Sequence, residues 1–285
     1  MPRSDYHADL PRPCPSLGRR GFFAGAAALA ASWLLPSPAR ASGRWWRSLV
    51  WGVFENRAFS EVAGLPSHRR LAQEGAVLSR YFAVAHPSGP NYRAMVSGDT
   101  WGSAEVVDTF HPTVSSEAAS LAIPTYVYHL AGRIALRHNP FADLHAPVEA
   151  TRYGLSSLEE DLRGRLPESC LVYVGWDDAN DFHNGDAARA DRNLSALLDV
   201  LAGSSWFRTP DERGRFPAFF FCYDEDDGRE GNRVFAAWWG PGVRRGYVSS
   251  RRHTHYGFCR TVTENWGLPP LGRSRREAPI DEVWR

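Results

Sequence analysis

Three groups of acidic and amide side chains stand directly behind apolar runs. Glu55-Asn56 follows Ser48–Phe54, Asp177-Asp178 and Asn180-Asp181-Phe182-His183 follow Cys170–Trp176, and Asp224-Glu225-Asp226-Asp227 follow Ala218–Tyr223. One acidic strand end is ordinary. Three that converge repel one another unless something cationic lies between them. With ten histidines in the chain, a divalent metal site is the natural expectation, since carboxylate and imidazole are the usual donors for such ions. A fourth segment, His86-Pro87-Ser88-Gly89-Pro90-Asn91, puts a hydroxyl just ahead of an expected helix that Asn91 would cap. At such a mouth, free amides and the helix dipole favour an oxyanion. A serine there, also bound to a divalent cation, can ionise and attack phosphorus.

These groups need a scaffold that brings strand ends together. Ser48–Phe54, Ala76–Tyr81, Cys170–Trp176, Ala218–Tyr223 and Val234–Trp239 read as continuous apolar runs, the pattern of strands buried on both faces. Helical stretches alternate with them, at Ser67–Glu74, Asn91–Val96, Ser156–Arg165, Ala187–Leu201 and His255–Trp266, which predicts a mostly parallel sheet covered by helices. In such sheets ligands bind beyond the carboxyl ends of the strands, where all three acidic groups fall. The region 108–150, with its scattered Pro, His and Gly, reads as an irregular insertion. Ser97 is expected inside or behind the nucleophile's helix.

Composition removes several function classes. The 33 basic and 32 acidic residues nearly cancel, which argues against nucleic acid as a partner. Every basic residue is Arg. Schiff-base chemistry and a Gly-Lys-Thr phosphate loop therefore have no lysine to use. Four Cys are too few for a disulfide scaffold at this length; Cys170, Cys222 and Cys259 read as buried thiols, with a disulfide between two of them left open.

The first 41 residues read as an address. Arg19-Arg20-Gly21-Phe22-Phe23 opens an apolar stretch to Leu35, and Ala39-Arg40-Ala41 offers a cleavage site. The paired arginines resemble a twin-arginine signal. The apolar run is too short and too rich in Ala and Gly for a stable membrane anchor, which needs about 20 strongly apolar residues. Export machinery is thus the expected partner of this segment, with Ser42–Arg285 as a single domain that is secreted or held in the periplasm or cell envelope.

Taken in order, the motifs resemble the phosphoesterase family of bacterial acid phosphatases and phospholipases C, which by fold belongs to the alkaline phosphatase superfamily. Glu55-Asn56-Arg57-Ala58-Phe59 is similar to its Glu-Asn-His-Ser-Phe opening, and His86-Pro87-Ser88-Gly89-Pro90-Asn91-Tyr92 to its His-Pro-Ser-Leu-Pro-Asn-Tyr segment. Arg137-His138-Asn139-Pro140-Phe141, Asn180-Asp181-Phe182-His183, Tyr223–Gly228, Gly240-Pro241-Gly242-Val243 and His255-Tyr256 continue in family order. The resemblance implies an α/β three-layer sandwich, an alkaline-phosphatase-like fold with a mostly parallel central sheet. It implies Ser88 as a nucleophile that forms phosphoserine, with Asn56 and His183 beside it in catalysis. Glu55, Asn56, Ser88, Asp224 and Glu225 would surround one divalent metal ion. Asp181, His183 and His255 would supply a second position or contact phosphate and leaving group. His138 reads as a loop buttress, and His253 is the neighbour with which His255 could be confused. Arg57 and Gly89 depart from the pattern, and the segment between Thr113 and Arg133 matches poorly; these departures bear on substrate preference.

The expected activity is hydrolysis of a small-molecule phosphate ester or phospholipid, first as an acid phosphatase and second as a phospholipase C-type phosphodiesterase. A non-catalytic phosphate- or metal-binding module is the rival from another class. The leader yields its own prediction: amino-terminal sequencing of exported protein gives a start near Ser42, and replacing both Arg19 and Arg20 by Lys stops export. A start at Met1 removes the cleavage assignment.

Overall fold

The computed structural model describes residues 43–285; the expected leader over residues 1–41, with Cys14, lies outside them. Nine strands form one sheet: β1 (Leu49–Phe54), β2 (Ala76–Phe82), β3 (Thr125–Ala131), β4 (Ala150–Tyr153), β5 (Leu171–Trp176), β6 (Ala218–Tyr223), β7 (Arg233–Val234), β8 (Ala236–Trp239) and β9 (Tyr247–Thr254). Their order is β4-β3-β5-β1-β6-β8-β2-β7, and β9 pairs with β2. The helices are α1 (Phe59–Val62), α2 (Pro66–Glu74), α3 (Ser88–Ser97), α4 (Val114–Ala119), α5 (Pro140–Asp143), α6 (Leu155–Leu162), α7 (Ala187–Gly203), α8 (Ser205–Arg208) and α9 (His255–Asn265). They fall into two packing groups, one built on α2, α6, α7 and α8 and one on α3, α4, α5 and α9. This is the expected mostly parallel α/β architecture. Among the described residues no helix is long and apolar enough to cross a membrane.

Strand direction decides where the chemistry can be. β5, β1 and β6 are adjacent and parallel, with Leu49 opposite both Leu171 and Ala218 and Phe54 opposite Tyr223. All three are buried along their whole length, as continuous apolar strands must be when both faces are covered. β8 runs antiparallel to β6 and β2 antiparallel to β8, so β2 points the same way as β1, and β9 lies parallel to β2. The residues after Phe54, Phe82, Trp176, Tyr223 and Thr254 therefore all emerge at one edge of the sheet.

Three expectations change here. The region 108–150 is not an irregular insertion, since it carries α4, β3, α5 and the start of β4. β3 escapes recognition because its polar tips are satisfied inside: Tyr128 donates to Asp161 (2.6 Å), and His129 Nδ1 accepts the Ile134 amide (2.8 Å). β9, which no expected element covers, is an edge strand with exposed arginines. Val234–Trp239 is two short antiparallel strands, β7 and β8, rather than one parallel strand. Asn91 does not cap α3, which begins at Ser88. Its side chain instead accepts the Val84 and Ala85 amides (2.9 and 3.0 Å) and donates to the Ala85 carbonyl (2.9 Å), tying the loop after β2 to the helix. Ser97 is buried in the last turn of α3, as expected, with Oγ bonded to the Arg93 carbonyl at 2.8 Å.

A buried cation braces the segment after α3. Arg93 is wholly enclosed and pairs with Asp143 at 2.9 Å. It also donates to the carbonyls of Thr100 (2.7 Å), Glu105 (3.1 Å) and Ala104. Asp143 Oδ1 in turn accepts the amides of Val107 (2.8 Å) and Asp108 (2.9 Å). The strap 100–108 has no helix or strand of its own, yet its backbone polar groups are held by one ion pair. Cys170, Cys222 and Cys259 are all free and buried; burial pushes the thiols of Cys170 and Cys259 up to about 12.

The carboxy-terminal segment is clasped to β9 by Glu282. Its Oε1 lies 2.7 Å from His253 Nε2 and accepts Ser249 Oγ at 2.5 Å, while Oε2 meets Arg251 at 2.9 Å. Burial alone would raise this carboxyl, but the His253 and Ser249 hydrogen bonds outweigh it and bring it from 4.5 down to about 2. A depressed carboxyl stabilises the fold above its unfolded value and loses that contribution as pH falls through its folded value. Glu282→Gln is therefore expected to lower the unfolding midpoint at pH 6–7, and the gap to wild type to close as pH falls from 4.5 towards 2. A gap that stays constant over that window removes the clasp from the acid limb.

Candidate active site

The site is built from strand ends. Glu55, the first residue after β1, is fully buried, and its amide donates to the Asp181 carbonyl (2.9 Å) beyond β5. Asn56 follows with φ of 56°, a left-handed turn that asparagine tolerates better than most residues. The turn sends its amide to Asp224 Oδ1 at 3.0 Å, and the same oxygen accepts the Glu225 amide at 2.7 Å. Arg57 clamps this loop to the next: it donates to the carbonyls of Asn56 (3.0 Å) and Phe182 (3.2 Å) and lies over the Phe182 ring.

Ser88 opens α3 with its Oγ 3.0 Å from Glu55 Oε2 and 3.3 Å from Glu225 Oε1. Four residues on, and so on the same helix face, Tyr92 donates to Glu55 Oε1. His86 Nδ1 lies 2.7 Å from Glu225 Oε2. Asp181 accepts the His183 amide at 3.0 Å, and His183, half-buried, has Nδ1 3.0 Å from Asn184 Oδ1. The acidic run after β6 divides by role. Asp224 and Glu225 face Ser88, Asp226 accepts the amides of Gly228, Glu230 and Asn232, and Asp227 pairs with Arg229. The structure thus brings Glu55, Ser88, Asp181, Asp224 and Glu225 together, with Asn56 and His183 at their margin.

His138 is the residue the sequence reading undervalued. Its buried ring has Nε2 3.3 Å from Glu55 Oε2 and Nδ1 3.5 Å from Asp178 and 3.6 Å from Asp181, yet neither nitrogen makes a hydrogen bond. Tyr92 stacks on the ring at 5.2 Å, and Tyr173 donates to the His138 carbonyl at 2.6 Å. The signal was present as Arg137-His138-Asn139-Pro140-Phe141, but nothing local says the ring turns inward. His255, expected to supply a second metal position or to contact phosphate and leaving group, is turned to the rear of the cluster. Its Nε2 bonds the Asp224 carbonyl at 2.6 Å and its Nδ1 the Tyr81 hydroxyl at 3.0 Å, so both ring nitrogens are occupied behind the site. It fixes Asp224 from the rear. His253 is taken by Glu282.

The electrostatics fit a cation. Burial, then Asp224 and Asp181, raise the Glu55 carboxyl well above the usual range. Burial raises Asp181 to about 7 and, helped by Asp224, Glu225 to about 8. Burial brings His138 down to about 4, keeping its ring neutral. Acids that resist ionisation surround a neutral imidazole whose unprotonated nitrogen has a free lone pair. One donor atom each from Glu55, His138 and Asp181 lies within 4.8 Å of the others, and Asp224 Oδ2 is buried without a partner beside them. That donor set of carboxylate oxygen and imidazole nitrogen suits a divalent metal.

The sequence pattern of the Phosphoesterase family matches residues 57–269. The chain belongs to that family. Phosphoesterase relatives include the phosphatidylinositol-3-phosphatase of Mycobacterium tuberculosis, 28% identical over 91% of each chain. The phosphate-repressible acid phosphatase of Penicillium chrysogenum is 28% identical over 79% of this chain and 59% of its own. The chain thus spans about three fifths of that fungal enzyme. Among solved structures, an alkaline phosphatase superfamily protein of Vibrio parahaemolyticus aligns with a TM-score of 0.63 over 85% of this chain and 72% of its own, at 14% identity; this likeness shows the fold. The protein is a hydrolase of phosphoric esters.

The cluster makes a direct prediction. Titration with Mg²⁺, Ca²⁺, Mn²⁺ or Zn²⁺ should raise the unfolding midpoint, because an ion that binds only the folded chain stabilises it. His138→Ala should weaken the response by about tenfold or more in apparent affinity. A midpoint that none of the four cations moves would show that the donors do not form a metal site.

Proposed function

We propose that the chain is an exported, metal-dependent phosphomonoesterase that works through a phosphoserine on Ser88. One observation carries this reading: the Ser88 hydroxyl opens α3 between two carboxylates, Glu55 and Glu225, with buried unpaired donors on Asp224 and His138 beside it. Glu55, His138, Asp181, Asp224 and Glu225 would hold a divalent cation, with Asn56 and Ser88 at its edge. When bound, such an ion neutralises facing carboxylates and lowers the pKa of a hydroxyl it touches.

The chain's own groups do the rest. Glu55 Oε2 and Glu225 Oε1 hold the Ser88 hydroxyl and are the atoms within reach of its proton. Oγ attacks phosphorus, a new Oγ–P bond forms, and the ester P–O bond breaks to release the alcohol. His183, whose Nδ1 is engaged by Asn184, presents Nε2 as the ring atom free to meet the leaving oxygen. Water then cleaves the Oγ–P bond, giving inorganic phosphate and restoring the hydroxyl. The first turn of α3 favours negative charge at Ser88 throughout.

Acid phosphatase activity is supported by the likeness to the acid phosphatase of Penicillium chrysogenum. A lipid-borne monoester is the second reading, favoured by the mycobacterial relative that matches over 91% of both chains and by Val106 and Phe110, exposed on the segment that follows α3.

Ser88→Ala is expected to fold normally and lose about three orders of magnitude or more in turnover of a chromogenic phosphomonoester, as loss of a nucleophile does. Ser97→Ala, altered on the far turn of the same helix, should keep turnover close to wild type. A chelator should abolish wild-type turnover, and a diester in the same panel should react more slowly than the monoester. Wild-type rates in Ser88→Ala would end the proposal. Faster hydrolysis of phosphatidylinositol 3-phosphate in vesicles than of soluble monoesters would select the lipid reading.

A further inference from the structure

The first turn of α3 already holds an anion, and it belongs to the chain itself. Glu105 Oε2 accepts the Gly89 amide at 2.8 Å, on the residue that follows Ser88. A phosphoryl group bound to Ser88 Oγ meets the same turn, whose amides are what a helix offers to phosphate. Two features fix the backbone that carries this carboxylate. The strap beneath it is fixed, because Arg93 binds the carbonyls of Thr100, Ala104 and Glu105 and is itself locked to Asp143. The strap also presses so closely on the helix mouth that a Cβ on Gly89 would stand 2.0 Å from the Glu105 carbonyl oxygen. Only glycine fits, which gives a physical reason for the departure from the bulkier residue of the family pattern.

Resting on the reading of Ser88 as the phosphate-receiving centre, we propose that Glu105 is an affinity-setting residue whose carboxylate competes with the phosphoryl group for the Gly89 amide. Its backbone stays where Arg93 holds it, so only the side chain swings aside when substrate arrives. The same charge returns once the ester is cleaved and disfavours retention of inorganic phosphate. Glu105 thus weakens both substrate and product binding. It serves turnover by keeping the product loosely held.

The test uses inorganic phosphate itself, measured by calorimetry on the full mature chain as purified and as a competitive inhibitor of monoester hydrolysis. Glu105→Gln keeps an oxygen that can accept the Gly89 amide but removes the charge, so its unfolding midpoint should match wild type. Its phosphate affinity should rise about tenfold or more, since like charges side by side are costly, and KM should fall by a larger factor than kcat changes. Glu105→Ala should tighten phosphate in the same direction even if its midpoint drops. A merely structural cap would leave phosphate affinity unmoved in Glu105→Gln, and that result, or weaker binding, overturns the proposal. Failure of the underlying site shows differently, as unimpaired turnover in Ser88→Ala.

Discussion

Mutual repulsion among buried carboxylates is the constraint around which this molecule is arranged. Because β5, β1 and β6 lie side by side and point the same way, any acid placed just beyond one of them is close to acids beyond the other two. Glu55, Asp181 and Asp224 cannot relax into solvent, for all three are buried. Their crowding is held by covalent position in the sheet and by neighbours that oppose it: the Tyr92 hydroxyl on Glu55, the Asn56 and Glu225 amides on Asp224, and the His183 amide on Asp181. Those neighbours satisfy some oxygens and leave others open. What remains is a focused demand for positive charge next to one serine.

A second layer of residues turns this crowding into geometry. His255 bonds the back of Asp224, Tyr173 fixes the His138 carbonyl, and Arg57 joins the loops after β1 and β5. Arg93 does the same for the strap over α3 and does it from inside the protein. A buried charge is costly unless paired and fully bonded, and Arg93 has four acceptors across Thr100, Ala104, Glu105 and Asp143. Reactive groups can therefore sit on loops without those loops being loose.

Much of this was legible in the sequence. The apolar runs ending in Phe54, Trp176 and Tyr223 announced buried parallel strands, and the polar residues after them announced the site. Order of pairing was not legible, because nothing in β1 alone says that its neighbours are β5 and β6. Polar edge strands such as β9 and half-polar ones such as β3 were hidden for the same reason: their side chains find partners only in three dimensions. The placements of His138 and His255 were not legible either. Each is one histidine in a short motif, and which way a ring turns depends on Tyr92, Tyr173 and Tyr81, which arrive from other elements. Glu105 gave no local signal at all, since its role depends on a brace formed by Arg93 and Asp143, fifty residues apart.

The three buried cysteines carry a consequence of a different kind. Cys170 contacts Ser48, Cys222 lies beside Met95, and none is bonded to another. Their thiols, held protonated by burial, are poor nucleophiles in thiol–disulfide exchange, which proceeds through the thiolate. The native fold of residues 43–285 thus contains no oxidation step and offers no exposed thiol for mixed disulfides. The polypeptide can therefore complete its structure in a reducing milieu, and once folded it keeps these thiols out of reach of an oxidising one.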